Sequence, residues 1–242
     1  MNLDYDDLEN IRPFERAAED RGYDIGDNSG DMEVAEKDGE NFIIKYMDRE
    51  EAALYILAEE LSGRITVDVR VPQVSYDEDR GVLISEEAGD PRGRLPEAQK
   101  ATESIINTYA FESLIGQGDL NNKNTDYDGQ GIFAYDFSNI GRDIRQVYPG
   151  AKKEAEELAQ ELGVDSRIDR YDVIGERLSE IAEDTGIIDA MHEVRRRVGV
   201  VPRSNEQIYE NKILARSAGK DISPSQLLTP DSSSHDDAVI IS

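Results

Sequence analysis

The sequence predicts an α+β fold in two lobes, a small β-rich N-lobe and a helical C-lobe, and three observations carry that prediction. Residues 22 to 88 read mainly as strands around one helix. Residues 97 to 217 read mainly as helices. Between them lies a connector rich in Pro and Gly, Gly89-Asp-Pro-Arg-Gly-Arg-Leu-Pro96. Strands gathered in one part of the chain and helices in another mark an α+β architecture rather than a strict βαβ alternation. The expected division is therefore 1–88, 89–220 and a terminal segment 221–242, and a chain of 242 residues can bury the core this needs.

Taken in order, residues 3 to 21 predict a short acidic helix with Leu8, Ile11, Phe14 and Ala17 or Ala18 on one side. A loop with Gly26, Ser29 and Gly30 follows, then a strand through Val34, an Asp38-Gly39 hairpin signal, and a strand whose apolar run Phe42-Ile43-Ile44 ends on Lys45. Asp48 to Leu61 predicts a largely buried helix. Strands are expected from Arg70 to Tyr76 and from Gly81 to Ser85, the second running into Glu86-Glu87-Ala88. Beyond the connector, helices are predicted at Glu97–Leu114, Ala151–Leu162, Tyr171–Glu183, Ile187–Val198 and Asn205–Ser217. The loop Asp119 to Asn124, an Asp128-Gly129 hairpin signal and a strand Gly131–Tyr135 stand between the first two. From Asp221 the composition turns to Ser, Pro and Asp and reads as a disordered tail. The tail ends in a short apolar plug, Ala238-Val-Ile-Ile241, able to dock onto the body or a protein partner.

Charge sets the surroundings. The 53 acids against 27 bases give a net charge of −26, spread through every segment rather than gathered in one tail. Such a chain repels itself in dilute buffer and is suited to molar salt, where the Debye length is about 3 Å. A halophilic cytoplasm is the expected home. The same charge disfavours nucleic acid and anionic membrane as partners. Arg195-Arg-Arg197 is the local exception, and it fits a basic helix C-terminus. With no cysteine there is no thiol nucleophile and no cysteine-zinc site. His192 and His235 are too few for a metal cluster. The acidic N-terminus does not resemble a signal peptide, and no apolar run reaches the length of a membrane span.

The most informative stretch is Ile115-Gly-Gln-Gly-Asp119-Leu-Asn-Asn-Lys-Asn124, with Asp136-Phe-Ser twelve residues later. Phosphoryl transfer needs a carboxylate to accept the proton of an attacking hydroxyl, and it needs oxygen ligands to hold magnesium on the phosphates. An Asp and an Asn five residues apart, with a second Asp after the next strand, have the right chemistry and spacing. Alone, D-x-x-x-x-N is weak, because Asp and Asn crowd into polar loops. Upstream residues add to it. Gly26 and Gly30 lack a Cβ and would let backbone amides approach a phosphate, and Lys45, one of eight lysines, ends the apolar run Phe42-Ile43-Ile44. The plainer readings are a surface hairpin and a lysine that snorkels to solvent.

The segment Leu114 to Asn124 resembles the catalytic loop of atypical kinases related to the HipA-like and phosphatidylinositol 3/4-kinase-like families, and Gly118-Asp119-Leu120 also resembles aminoglycoside phosphotransferases. The resemblance spans roughly residues 20 to 145 and implies a bilobal protein-kinase-like fold that uses ATP and Mg2+. It makes Asp119 the catalytic base, Lys45 the phosphate clamp, and Asn124 and Asp136 the metal ligands. Gly26, Ser29 and Gly30 would cover the phosphates, and Glu86 and Ala88 would meet adenine through backbone groups. Glu51 matches the acidic position opening the helix after Lys45, yet Asp48 and Glu51 equally fit a capping box; Glu59 is the substitute partner. Three departures stand out: Asn121 where a His is usual, Ser138 where a Gly often follows Asp-Phe, and too few residues after Asp136 for a peptide-holding platform. The expected function is an ATP-dependent phosphotransferase acting on a small-molecule or protein acceptor. The alternative is a pseudokinase, a nucleotide-sensing, protein-binding or structural module of a halophilic cell or virus.

Overall fold

The computed structural model describes residues 3–14, 32–87, 98–118, 124–128, 131–164, 173–184 and 186–218. The connector (residues 89–96), the glycine loop and the C-terminal tail lie outside them.

Alternating side chains build the N-terminal sheet. Strands β1 (Glu9–Pro13), β2 (Met32–Lys37) and β3 (Glu40–Tyr46) precede helix α1 (Arg49–Ser62), and β4 (Val74–Asp77) and β5 (Val82–Glu86) follow it. All pairings are antiparallel, in the order β1-β2-β3-β5-β4. The β2–β3 turn is the expected Asp38-Gly39, both residues in the left-handed region with φ 54° and 86°, as a tight hairpin twist demands. Period-two alternation sends Phe42 and Ile44 of β3, with Val82 and Ile84 of β5, to one face, where Leu3, Leu8 and Ala35 cover them. Lys45 pairs with Leu83 and shares the opposite face, which α1 covers.

Residues 9 to 13 form a strand rather than part of the expected acidic helix. Leu8 and Ile11, three apart, would face opposite sides of a regular strand and reach one cluster only because the register shifts between Glu9 and Arg12; β2 offers backbone partners that a lone acidic helix lacks. Leu8 packs beneath the sheet. Pro13 ends an edge strand, where proline is tolerated. A register irregularity between Glu9 and Arg12 accompanies Asn10, at φ 53°. Of the next two predicted strands, the first is shorter than expected, Val74–Asp77 against Arg70–Tyr76, and the second is shifted by one residue, Val82–Glu86 against Gly81–Ser85. Arg70 lies outside β4 and instead bridges Phe133, its carbonyl accepting from Ala134 N at 3.0 Å.

The remaining helices are α2 (Ala98–Ile115), α3 (Ile144–Glu161), α4 (Val173–Asp184), α5 (Ile187–Val198) and α6 (Asn205–Ala218), with the hairpin β6 (Thr125–Asp128) and β7 (Gly131–Ala134) after α2. Helix α2 is buried on nearly every side from Ile105 to Ile115, against Tyr148, Leu158, Leu178 and Ile181 of α3 and α4. Helix α3 starts at Ile144, well before the predicted Ala151, and runs through Pro149. Proline there forgoes one amide bond, but burial of Ile144, Val147 and Tyr148 outweighs that cost. The buried Asn211 of α6 secures the start of α3: its Oδ1 accepts from Ile144 N at 2.9 Å, and its Nδ2 donates to Arg142 O at 2.8 Å and Leu114 O at 3.2 Å.

Helix α5 joins the two parts. Ala190 and Val194 pack in one core with Ala53 and Leu57 of α1. Arg197 reaches Glu59 at 2.7 Å, Glu60 at 3.1 Å and the Val74 carbonyl. The basic end of α5 therefore does more than complement a helix dipole, since one arginine ties α5 to α1 and β4.

Candidate active site

Two backbone segments converge where the loop motif begins. Helix α2 ends on Gly116 at φ 68°, and the chain from Ile115 to Gly118 then runs beside residues 139 to 142. Gly141 N donates to Ile115 O at 2.8 Å, Arg142 N to Gly116 O at 2.9 Å, and Gly118 N to Asn139 O at 2.7 Å. A Cβ at position 116 would collide with the backbone of Arg142, so both the left-handed turn and the close approach require glycine. This short ladder brings the chain, one residue before Asp119, alongside the segment carrying Asp136. The side chain of the fully buried Gln117 completes the link, its Nε2 donating to the Asp136 carbonyl at 2.6 Å.

Asp136 follows β7 and takes φ 65°, a left-handed backbone rare outside glycine and concentrated at functional positions. Its Oδ1 accepts from the Tyr55 hydroxyl at 2.7 Å and from Ser138 Oγ at 3.0 Å. Tyr55, on α1, in turn accepts from Lys45 Nζ at 3.3 Å. The lysine head group also lies 5.2 Å from the centre of the Tyr55 ring, within cation–π range. Lys45, Tyr55 and Asp136 thus form one connected site between the sheet, α1 and the end of β7.

Electrostatics fits a partly buried pair of opposite charges. Burial pushes the Lys45 ammonium down, opposed by the charges of Asp136 and Glu51. Burial would raise the Asp136 carboxyl, but Lys45 and the Tyr55 and Ser138 hydroxyls outweigh it and hold the group below its usual range. Asp136 is therefore anionic at neutral pH. Burial, then the charge of Asp136, raises the Tyr55 phenol, which stays protonated and donates.

The acidic positions of α1 sort differently from one another. Asp48 Oδ1 accepts from Glu51 N at 2.8 Å, the N-cap half of the capping box. Burial and Asp48 raise the Glu51 carboxyl against the pull of Lys45, so Glu51 also feels the site. Glu59 is not the substitute partner: it is engaged with Arg197, far along the helix. The hydroxyl of Tyr55, one turn after Glu51, makes the contact with Lys45. Tyr55 and Gln117 were missed by sequence reasoning. The available signal was Tyr55's place four residues after Glu51, on the same helix face.

Asn124 lies at the end of the loop motif, its carbonyl accepting from Tyr135 N at 3.0 Å, beside the residue before Asp136. Asp136 and Asn124 offer one carboxylate and one amide oxygen. Among the described residues no group of three or more His, Cys, Asp or Glu gathers. Were magnesium bound here, Asp136 and Asn124 are the residues that would hold it, with waters and substrate phosphates supplying the remaining oxygens. Glu86 ends β5, and its carboxylate accepts from Gln73 N at 3.2 Å while Glu87 N bonds Asn41 O at 3.1 Å. Gly26, Ser29, Gly30, Ala88 and Asp119 lie outside the described residues, as do Asn121 and His235. His192 is exposed on α5.

No family model matches the chain, and no curated protein matches it in sequence. Solved structures do match. A proinflammatory kinase of Helicobacter pylori, CtkA, aligns at a TM-score of 0.52 and 10% identity, over 94% of this chain and 99% of that one. A choline kinase of Streptococcus pneumoniae, LicA, aligns at 0.33 and 12% identity, over 88% of this chain and 94% of that one, too loosely to bear on architecture. The chain has an α+β fold of the kinase-like kind. At this identity the likeness concerns the fold and carries no substrate.

Proposed function

We propose that the protein is an ATP-dependent phosphotransferase that moves the γ-phosphoryl group to a hydroxyl of a small-molecule or protein acceptor. One observation carries the reading: Lys45 of β3 and Asp136 after β7, far apart in sequence, meet through a single tyrosine hydroxyl, itself 81 positions before Asp136. A scaffold has no physical need for a partly buried lysine facing an anionic aspartate on strained backbone. Phosphate binding by the lysine, and metal binding by the aspartate, give both a use.

In this reading Lys45 holds the α and β phosphates. Asp136 and Asn124 hold Mg2+, which supplies charge neutralisation on the phosphates when bound. Asp119 takes the proton of the acceptor hydroxyl. Gly26, Ser29 and Gly30 cover the phosphates, and the chain at Glu86 and Ala88 meets adenine. Residues 1–88 act as the N-lobe and 89–220 as the C-lobe. Helix α3 begins only eight residues after Asp136, leaving no room for the long peptide-holding segment of many protein kinases; this favours a small acceptor or a protein bound by the helices. The HipA-like loop resemblance supports the same assignment, and the net charge of −26 supports work in concentrated salt.

The competing reading is a nucleotide-sensing or protein-binding pseudokinase, favoured by Asn121 where the related loops carry His. Two variants separate them. Asp136→Asn is expected to abolish magnesium-dependent nucleotide binding, read as a thermal shift in molar KCl. Asp119→Asn is expected to keep binding and lose phosphate release or autophosphorylation, since the base acts on the acceptor and not on ATP. Equal turnover in wild type and Asp119→Asn would move the assignment to the pseudokinase.

A further inference from the structure

An aspartate carboxylate turns easily about its last bond, because that torsion has broad minima. A metal-binding aspartate therefore needs neighbours that fix the plane of its oxygens, and such neighbours typically govern metal affinity about 10- to 100-fold. At Asp136 two hydroxyls, from Tyr55 at 2.7 Å and Ser138 at 3.0 Å, converge on the same oxygen, Oδ1. Ser138 stands where related loops often carry a glycine, which could supply no such bond. Tyr55 is buried, and its ring meets the Phe137 ring edge-on at 6.1 Å and 83°, so the residue following Asp136 helps to hold the tyrosine that holds Asp136. The Asp136 carbonyl is pinned as well, by Gln117 at 2.6 Å.

We propose that Tyr55 and Ser138 are positioning residues that bracket Asp136 by Oδ1 and reserve Oδ2 for a divalent cation, Tyr55 tying Lys45 to the same carboxylate through its hydroxyl. The inference rests on the phosphotransferase reading above. It gives Tyr55 the work of the acidic partner on α1, with Glu51 contributing charge alone. The tyrosine has a further property an acid lacks: as donor and acceptor at once, it links cation to anion without adding charge.

The test compares wild type, Tyr55→Phe, Ser138→Ala and Ser138→Thr in molar KCl. Magnesium is titrated at fixed ATP, with nucleotide-dependent thermal shift and phosphate release as readouts. Tyr55→Phe keeps the ring against Phe137 and should raise the apparent magnesium constant about 10- to 100-fold, with kcat recovering at high magnesium and the KM for ATP changing less than about twofold. Ser138→Ala, at an exposed position, should raise it by a smaller factor, and Ser138→Thr, which keeps the hydroxyl, should match wild type. A purely structural role would lower the metal-free melting temperature and leave the magnesium constant alone. A magnesium constant unchanged in Tyr55→Phe while wild type responds overturns the bracket and spares the phosphotransferase reading. Equal behaviour of the Ser138 variants removes Ser138 from it. A wild type with no response to magnesium and ATP overturns both.

Discussion

Glu112→Gln probes the interior of the helical lobe. Glu112 lies on α2 at 2% exposure, and its Oε2 has no hydrogen-bond partner among the described residues. Burial first, and the charge of Glu154 second, push its carboxyl from 4.5 up to about 8. Because the folded value is raised, the folded state keeps a proton that the unfolded state releases. The resulting stability is fully present below pH 4.5 and is lost as pH rises through about 8. By pH 7 the loss spans about two and a half pH units at roughly 1.4 kcal/mol each, or about 3 kcal/mol. Gln has the same size and no proton to lose. Glu112→Gln should therefore be more stable than wild type at pH 7 by up to about 3 kcal/mol, less the desolvation of its amide, and the gap should shrink towards pH 5. Urea unfolding of both proteins from pH 5 to 9 in constant molar KCl isolates Glu112, because every other carboxylate is common to the pair. Parallel profiles with a constant gap across that range would refute a buried, protonated Glu112.

Other perturbations test separate parts of the fold. With a net charge of −26, the melting temperature should fall as KCl drops from molar to millimolar, because screening of the carboxylates is lost; an unchanged melting temperature sinks the salt-adapted reading. Gly116→Ala places a side chain at φ 68° and against the Arg142 backbone. It should cost at least about 1–2 kcal/mol from the backbone alone, and a denaturant midpoint equal to wild type would contradict the close approach. Arg197→Ala leaves Glu59 half-enclosed without its partner and should cost about 3 kcal/mol; a loss below about 1 kcal/mol would show that the α5–α1 tether is only surface decoration.

Much of this fold was legible because local chemistry and tertiary packing agree. The apolar run Phe42-Ile43-Ile44 alternates across a real strand, Asp38-Gly39 makes the turn, and Ile187–Val198 matches its predicted bounds because Gly199 at φ 76° stops the helix. Legibility failed where a distant segment decided. Residues 9 to 13 became a strand only because β2 presents an edge, and Ile144 to Gly150 became helical because Asn211, 67 positions later, fixes the first turn. At the site, Lys45 and Asp136 could be named from spacing. Tyr55 was not singled out: its place one turn after Glu51 was the only signal, its apolar ring fits any buried helix face, and its hydroxyl gains meaning only beside Asp136.

The charge of the site also constrains how it can bind. Among the described residues, one cation around Tyr55, Lys45, faces two acids, Asp136 and Glu51, each coupled to it electrostatically. This cluster is neutral to negative before any ligand enters, inside a chain already strongly anionic. A nucleotide polyphosphate would meet repulsion here that one lysine cannot offset at short range. On the proposed phosphotransferase reading, magnesium entering with the nucleotide would reverse that balance, because Asp136 would then serve as a ligand rather than a repelling group. Nucleotide affinity should accordingly depend on magnesium far more steeply than on Lys45: Lys45→Met should weaken nucleotide binding while leaving a magnesium-dependent thermal shift, whereas chelation of magnesium should remove the shift altogether. A nucleotide shift that survives the chelator but vanishes in Lys45→Met would show the lysine, not the metal, to be the principal anchor.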